Sequence, residues 1–314
     1  MRGEEMRILV TGAGGALGSD MLTELVSRGN TVFGSFHREA PFPASSCRQL
    51  FSLDVTDRCA VLSAFDRVRP DAVVHCAAWT NVDAAELYPE ECRRVNADGT
   101  AHVAEGCAIS GAKLLYLSTD YVFDGTGSHP WQPDIDLPHP LNCYGQSKLD
   151  GENAIRNRVA QSFIVRTSWL FGRTGRNFVK TMLALGKSNP SVRVVCDQIG
   201  TPTYTVDLAR LLADMIETDK YGCYHVSNSE ASPGAFPSRA EFCREIFHQA
   251  GLSTAVVPVK TADFQGSTAV RPLNSRLDKS KLLEAGFQPL PDWKDALNRY
   301  YLQIGENRIG SDPD

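Results

Sequence analysis

Residues 7–18 read Arg-Ile-Leu-Val-Thr-Gly-Ala-Gly-Gly-Ala-Leu-Gly, and this stretch decides the fold. The apolar run Ile8 to Val10 predicts a strand. Leu17, Met21, Leu22, Leu25 and Val26 then recur at helical spacing and predict a helix with one apolar stripe. Between them stand Gly12, Gly15 and Gly18. That spacing suits a tight turn, a close backbone approach to a pyrophosphate, and a close contact between helix and strand. The helix start then offers unpaired N–H groups to a diphosphate. Glycine spacing alone is a weak signal; its position after the first strand of a long strand–helix alternation gives it weight. Gly12, Gly15, Ala16, Leu17 and Gly18 are therefore expected to hold the phosphates of a dinucleotide.

Outward from this turn, strands are expected at 31–34, 49–53, 72–75, 113–117 and 163–166. A helix capped by Thr56 or Asp57 should run to about Val68 and end before Pro70. Strands alternating with helices predict an α/β protein, a Rossmann-type doubly wound parallel sheet. From about Gly172 the rhythm loosens into helices near 175–187, 206–217, 239–250 and 292–303. The expected division is a dinucleotide-binding domain over 1–171 and a smaller mixed α/β substrate domain over 172–304. The second is partly interleaved with the first, and residues 305–314 form a flexible tail.

Composition narrows the class. Of 314 residues, 42% are hydrophobic and 22% charged, an ordinary globular balance. A formal net charge of -5 disfavours nucleic acid and anionic membrane surfaces as partners. A small anionic ligand is still compatible, because a few local arginines suffice for it. The nine cysteines form no CxxC pair, so they are expected to be buried small hydrophobes in a reducing compartment rather than metal ligands or disulfides. Met1 to Met6 lead straight into the first strand without a signal core, and no apolar run spans a bilayer. A cytoplasmic protein without a metal site is expected.

The end of the second strand reads Gly34-Ser35-Phe36-His37-Arg38, with no carboxylate before Glu39. An acid here would bind the adenosine ribose of NAD, whereas a guanidinium can take a 2′-phosphate with paired hydrogen bonds. NADPH is the favoured cofactor, with Arg38 as clamp and His37 as helper; NADH is less favoured. Tyr144 and Lys148 are four apart at the start of a predicted helix, hence on one face. A free phenol has a pKa of about 10, and a neighbouring ammonium favours the phenolate. Thr119 closes the strand before them, where strand ends surround the ligand crevice of a parallel sheet.

At this point the chain resembles the extended short-chain dehydrogenases/reductases, and within them the dTDP-4-dehydrorhamnose reductase family. The matching segments are Thr11 to Gly18, Leu53 to Asp57, Ala77 to Asp83, Val95-Asn96, Ser118 to Gly125 and Pro140 to Lys148. Further on come Arg166 to Trp169, Asn177-Phe178, Asp197 to Thr203 and Arg271 to Ser275. The resemblance implies reduction of the C4 ketone of dTDP-4-dehydro-L-rhamnose to dTDP-L-rhamnose, activated rhamnose for surface polysaccharide. Tyr144 would then donate the proton, with Lys148 tuning it and Thr119 polarising the carbonyl. Asp54 and Val55 would meet the adenine; Ala77, Ala78 and Trp79 would line the cofactor. Asp120 and Trp169 would lie against the sugar, and Asn177, Gln198, Thr201 and Arg271 would approach the nucleotide end of the substrate. Asn96 is either a positioning amide or part of a proton relay. Trp79 departs from the His or Tyr usual at its position. A homodimer is compatible with the resemblance. Two other readings stay open: a reductase or epimerase of a related nucleotide sugar, and a non-catalytic NADP-binding regulator resembling the methionine adenosyltransferase β subunit.

Overall fold

The computed structural model describes residues 5–37, 47–232, 234–264 and 266–309. Seven strands form one sheet: β1 (Arg7–Thr11), β2 (Thr31–Phe36), β3 (Gln49–Ser52), β4 (Ala72–His75), β5 (Lys113–Thr119), β6 (Ser162–Thr167) and β7 (Gly222–His225). Their order is β7-β6-β5-β4-β1-β2-β3, and every pair is parallel. The order reverses beside β1, which opens a crevice outside the strand C-termini at that switch point.

Parallel strands are buried on both faces, and two separate cores show it. The helices are α1 (Ala16–Ser27), α2 (Arg58–Val68), α3 (Gly99–Ser110), α4 (Cys143–Arg156), α5 (Phe178–Ser188), α6 (Thr205–Ile216), α7 (Arg239–Gln249) and α8 (Trp293–Ile309). On one face α1 and α6 pack Leu17, Met21, Leu208 and Leu212 against Ile8, Val10 and Val74. On the other, α2, α3 and α4 pack Val61, Phe65, Val103 and Ile155 against Leu9, Val73 and Leu114. Each such side chain, fully buried, contributes about 1.5–3 kcal/mol. The Asp57 carboxylate caps α2 by accepting from the Ala60 N–H at 3.0 Å, and Arg69 ends it with φ +47°, just before Pro70.

A third core gathers Phe171, Val179, Phe242, Ile246, Trp293 and Tyr300 from the second half. Around it run short parallel pairings, Leu170–Phe171 with Thr203–Tyr204 and Ile199–Gly200 with Asn274–Ser275. The two halves are interleaved: β7 and α6, both beyond residue 171, complete the main sheet and its cover. The last helix runs to Ile309, past the 303 expected from the sequence, so the start of the expected tail is helical. Cys92, Cys107 and Cys243 are buried, whereas Cys59 is exposed and the other five are half-buried, so burial accounts for only a minority.

One polar cluster lies inside this packing. Glu152 of α4 is fully buried and accepts from Arg166 of β6 through Nε at 2.9 Å and Nη2 at 2.7 Å. Ser118 of β5 donates to it at 2.5 Å, and Arg156 at 2.8 Å. Burial alone would push the Glu152 carboxyl up; the Arg166 bonds and charge, with Arg156 and Ser118, outweigh it and hold the group below its ordinary 4.5. A carboxyl depressed in the folded state stabilises above its unfolded pKa and loses that contribution as pH falls. Glu152→Gln should therefore cost about 3–5 kcal/mol at neutral pH, because Arg166 stays buried without its counter-charge. Urea unfolding measures this. The gap between variant and parent should narrow as the solution is acidified below 4.5, where the parent loses the same charge.

Candidate active site

The turn after β1 is built on contacts that only glycine permits. Gly12 has φ +67°, and a Cβ there would meet the Ala77 N at 2.5 Å. A Cβ on Gly18 would meet the Gly12 carbonyl at 2.2 Å, so the helix sits directly on the turn. The Ala13 N–H donates to the Ser35 carbonyl at 2.8 Å and the Gly15 N–H to the Gly12 carbonyl at 2.9 Å. Gly15 caps α1 without a side chain, which leaves the first-turn amides of Ala16 and Leu17 open at the rim of the crevice. The Leu17 side chain is in the core, so only its amide can serve a ligand.

Ala77, Ala78 and Trp79 follow β4 along the same rim. Asn96, buried in a wide helical turn over Arg94–Asp98, fixes them. Its Oδ1 accepts from the Trp79 N–H at 2.8 Å; its Nδ2 donates to the Trp79 carbonyl at 3.0 Å and to Ser147 Oγ at 2.9 Å. Every polar atom of that side chain is used, and the amide ties the loop to α4. Beneath lies His75, between Thr11 Oγ1 at 2.6 Å and Thr100 Oγ1 at 3.1 Å. Burial, then the Lys148 charge, depresses its pKa to about 3, so it is a neutral structural group. At the far end, His37 Nε2 lies 3.7 Å from Asp54 Oδ2, and the Val55 side chain packs under Gly99. Arg38, the expected 2′-phosphate clamp, lies outside the described residues.

Tyr144 and Lys148 share the crevice face of α4. Asn142 caps that helix, accepting from the Gly145 N–H at 2.8 Å. A Cβ on Gly145 would meet the Tyr121 carbonyl at 2.1 Å, so the helix start rests on the turn that follows β5. The Tyr144 ring meets Tyr121 edge-on at 5.6 Å. Lys148 is buried, its Nζ 4.1 Å from the centre of the Tyr116 ring, and burial lowers its pKa to about 7 although Glu152 opposes this. Burial pushes the Tyr144 phenol up, and the group that counters this most is the Thr119 hydroxyl. The expected lowering of Tyr144 by Lys148 is thus overridden. Desolvation penalises the charged form of both groups, and the phenol stays protonated, the state a proton donor needs.

Thr119 ends β5 with its Oγ1 3.0 Å from Asp120 Oδ1, to which it donates, while accepting from the Tyr121 N–H at 3.2 Å. Asp120 also accepts from Ser275 Oγ. Burial raises its carboxyl to about 6, against the Ser275 and Thr119 bonds and the Arg239 charge.

The second half supplies the facing wall. Trp169 is nearly buried at φ +50°, a left-handed conformation costly for a bulky residue. The Arg239 guanidinium covers its ring, with Cζ 3.8 Å from the centre. Asn177 caps α5, its Oδ1 accepting from the Lys180 N–H at 3.0 Å and its Nδ2 donating to the Gly172 carbonyl at 2.8 Å. Gln198 Nε2 donates to Thr261 Oγ1 at 3.3 Å, and Thr201 Oγ1 to Glu230 at 3.2 Å. Arg271 binds Asp83 at 2.6 Å, and the same carboxylate accepts the Thr268 and Ala269 N–H groups at 3.0 and 3.1 Å. Among residues the sequence reading did not single out, Arg239, Glu152 and Asp83 matter most. Ser238 and Glu241 did spell a capping box that predicts the start of α7. Nothing in the sequence said where the Arg239 head would go.

A glycine turn on a helix start, a switch-point crevice, and a half-buried tyrosine with a buried lysine beside a strand-end threonine define the class: a dinucleotide-dependent oxidoreductase of the extended short-chain dehydrogenase/reductase type. Comparisons narrow this. The family profile described as RmlD substrate binding domain matches residues 6–305. A dTDP-4-dehydrorhamnose reductase of Aggregatibacter actinomycetemcomitans is 38% identical over 304 residues, covering 93% of this chain and 97% of the relative. The spore coat polysaccharide biosynthesis protein SpsK of Bacillus subtilis (strain 168) is 38% identical over 297 residues, covering 95% and 97%. The crystal structure of dTDP-4-dehydrorhamnose reductase from Bacillus anthracis str. Ames in complex with NADP superposes with a TM-score of 0.86 at 37% identity, covering 96% of this chain and all of that one. The chain belongs to the dTDP-4-dehydrorhamnose reductase family.

The Lys148 environment carries a pH signature. With its pKa lowered to about 7, kcat/KM should fall as pH rises through that value and the ammonium is lost, since this ratio reports the free enzyme. Lys148→Met should lose this limb along with most activity. A profile flat between about pH 6 and 8 in the parent would show that another group controls the step.

Proposed function

We propose that the protein reduces the C4 ketone of dTDP-4-dehydro-L-rhamnose to dTDP-L-rhamnose with NADPH, in the cytoplasm. The observation that carries this is the convergence of Thr119, Tyr144 and Lys148 at the crevice mouth beside the Gly12–Gly18 turn, in a chain of this family. The residues fit the cofactor. Gly12 and Gly18 let the turn close against the Ala77 backbone and the helix start, and the open amides of Ala16 and Leu17 suit a diphosphate. When bound, NADPH supplies the hydride.

The chain does the rest. Ala77, Ala78 and Trp79, held by Asn96, line the nicotinamide side. Lys148 would donate to the ribose. The Thr119 hydroxyl, whose one proton is given to Asp120 Oδ1 in the free protein, would turn it to the substrate carbonyl and polarise that group as charge develops on the oxygen. Tyr144, kept protonated by burial, gives its proton to that oxygen; the Lys148 ammonium and Thr119 stabilise the phenolate left behind. Asp120, tied to Thr119 and Ser275, orients the hydroxyl and faces the sugar. The retained Tyr–Lys–Thr set favours an enzyme over a non-catalytic regulator.

Purified protein with dTDP-4-dehydrorhamnose and NADPH should consume both, followed by nicotinamide absorbance, and release dTDP-L-rhamnose on chromatography. Tyr144→Phe should lower turnover by about two to four orders of magnitude while NADPH affinity stays within a small factor. A fully active Tyr144→Phe protein would remove the phenol from the mechanism. In the parent, NADPH should bind at least about tenfold more tightly than NADH, about 1.4 kcal/mol. Arg38→Asp should narrow that gap, as a carboxylate repels the 2′-phosphate. Equal affinities in the parent would remove the clamp.

A further inference from the structure

Four basic side chains stand around the substrate side of the crevice, and three are committed elsewhere. Arg271 is bound to Asp83, Lys279 to Glu230, and Arg276 donates to Asn274 Oδ1 at 2.9 Å. Arg239 differs. Among the described residues its guanidinium has no carboxylate within ion-pair distance and no side-chain hydrogen bond; its head lies flat on Trp169 at 3.8 Å and 5.1 Å from the Phe178 ring. Its charge acts on Tyr121 and Asp120, the two residues after Thr119, and desolvation lowers its pKa to about 10, so the half-buried head is a cation at neutral pH. Desolvating a cation without a partner is unfavourable by several kcal/mol in general. Stacking on an aromatic face returns only about 0.5–2 kcal/mol. The arrangement is also rigid. The Arg239 N–H donates to the Gln198 carbonyl at 3.1 Å, the Gly200 N–H to the Pro237 carbonyl at 3.1 Å, and Ile199 bridges Ser238. Trp169 beneath it is held in a costly backbone conformation, with Gly200 against its indole at 3.1 Å for an added Cβ. An unpaired, aromatic-backed guanidinium whose charge is felt at the two residues after Thr119 is suited to receive an anion.

We infer that Arg239, backed by Trp169, is the binding group for the diphosphate of the sugar nucleotide. The inference rests on the reading above that the substrate is a nucleoside-diphosphate sugar, and assigns its charged contact within that site. Geometry sets the order. In a pyranose, C1 carries the diphosphate and C4 lies across the ring. With C4 at Thr119 and Tyr144, the diphosphate falls one ring-width away, and Arg239 is near enough for its charge to act on Asp120 and Tyr121 beside Thr119. The planar fork suits paired hydrogen bonds to phosphate oxygens, which a lysine cannot reproduce. The anion would also give the guanidinium the counter-charge that the protein withholds. Trp169 then serves the sugar only at its edge, since Arg239 occupies its face.

The test uses the full chain with NADP present and dTDP as the probe, titrated by calorimetry. Arg239→Met should raise the Kd for dTDP at least about tenfold, about 1.4 kcal/mol. Arg239→Lys should recover part of that loss, and the Kd for NADPH should stay within twofold in both. Thymidine, which lacks phosphates, should bind parent and Arg239→Met equally. Should Arg239→Met melt below the assay temperature, Arg239→Gln takes its place, with the same rise expected. An unchanged dTDP affinity in the folded variant overturns the assignment, as does a parent that does not bind dTDP. A parent that binds dTDP through Arg239 yet leaves dTDP-4-dehydrorhamnose unreduced upholds the anion site and overturns the proposed reaction instead.

Discussion

The carboxylate of Glu152, held between Arg166 of β6 and Ser118 of β5, is the constraint on which the rest of the site depends. It is fully buried between α4 and the sheet, and it sits on the helix that carries Tyr144 and Lys148. Rotating or sliding α4 would break several charge-assisted bonds at once in a place water cannot reach. An apolar contact there would tolerate such slippage; a buried fork of hydrogen bonds does not. Glycine does the complementary work. At Gly145 and Gly151 the absent Cβ lets α4 approach the Tyr121 carbonyl and the Tyr116 hydroxyl, so the helix is fixed both by what it binds and by how close it lies.

The crevice itself works by withholding water from groups that prefer it. Tyr144, Lys148, Asp120 and Arg239 are each displaced toward the neutral form by burial, though by different amounts and against different opposition. Tyr144 is left a firm proton donor, Lys148 is poised near neutrality, and Arg239 keeps its charge because a guanidinium starts so high. One desolvated pocket thereby produces an acid, a tunable cation and a fixed cation side by side. The two halves of the chain contribute unequally. The sheet supplies the reacting groups, and the loops of the second half supply the wall that makes their surroundings dry.

That wall is assembled from weak local elements. Its strand pairs are two or three residues long except Ser191–Val195 with Ala255–Val259, and they are stitched by single side chains such as Asp83, Asn142 and Asn274 to distant backbone. The Asn142 amide caps α4 and holds the Val270 carbonyl at 2.8 Å, so the catalytic helix and the substrate loop share one residue. One residue therefore fixes both the start of the catalytic helix and the position of the facing loop.

The sequence by itself determined the parallel sheet, the phosphate turn and the Tyr144–Lys148 face. Each depends on spacing along a few consecutive residues: alternation of apolar runs, glycines three apart, a helical offset of four. It also carried the capping signals at Asp57 and Ser238, since a cap bonds within its own turn. Only the tertiary structure decided the partners of the charged residues. Arg271 and Arg239 look alike in sequence, yet Asp83, 188 positions from Arg271, pairs with one, while among the described residues no carboxylate lies within ion-pair distance of the other. It likewise decided that burial outweighs the Lys148 charge at the phenol, and that β7 and α6 belong to the first core. The physical reason is the same throughout. Hydrogen-bonded turns and amphipathic stripes are written over short separations, whereas ion pairing and desolvation depend on what the whole fold brings near.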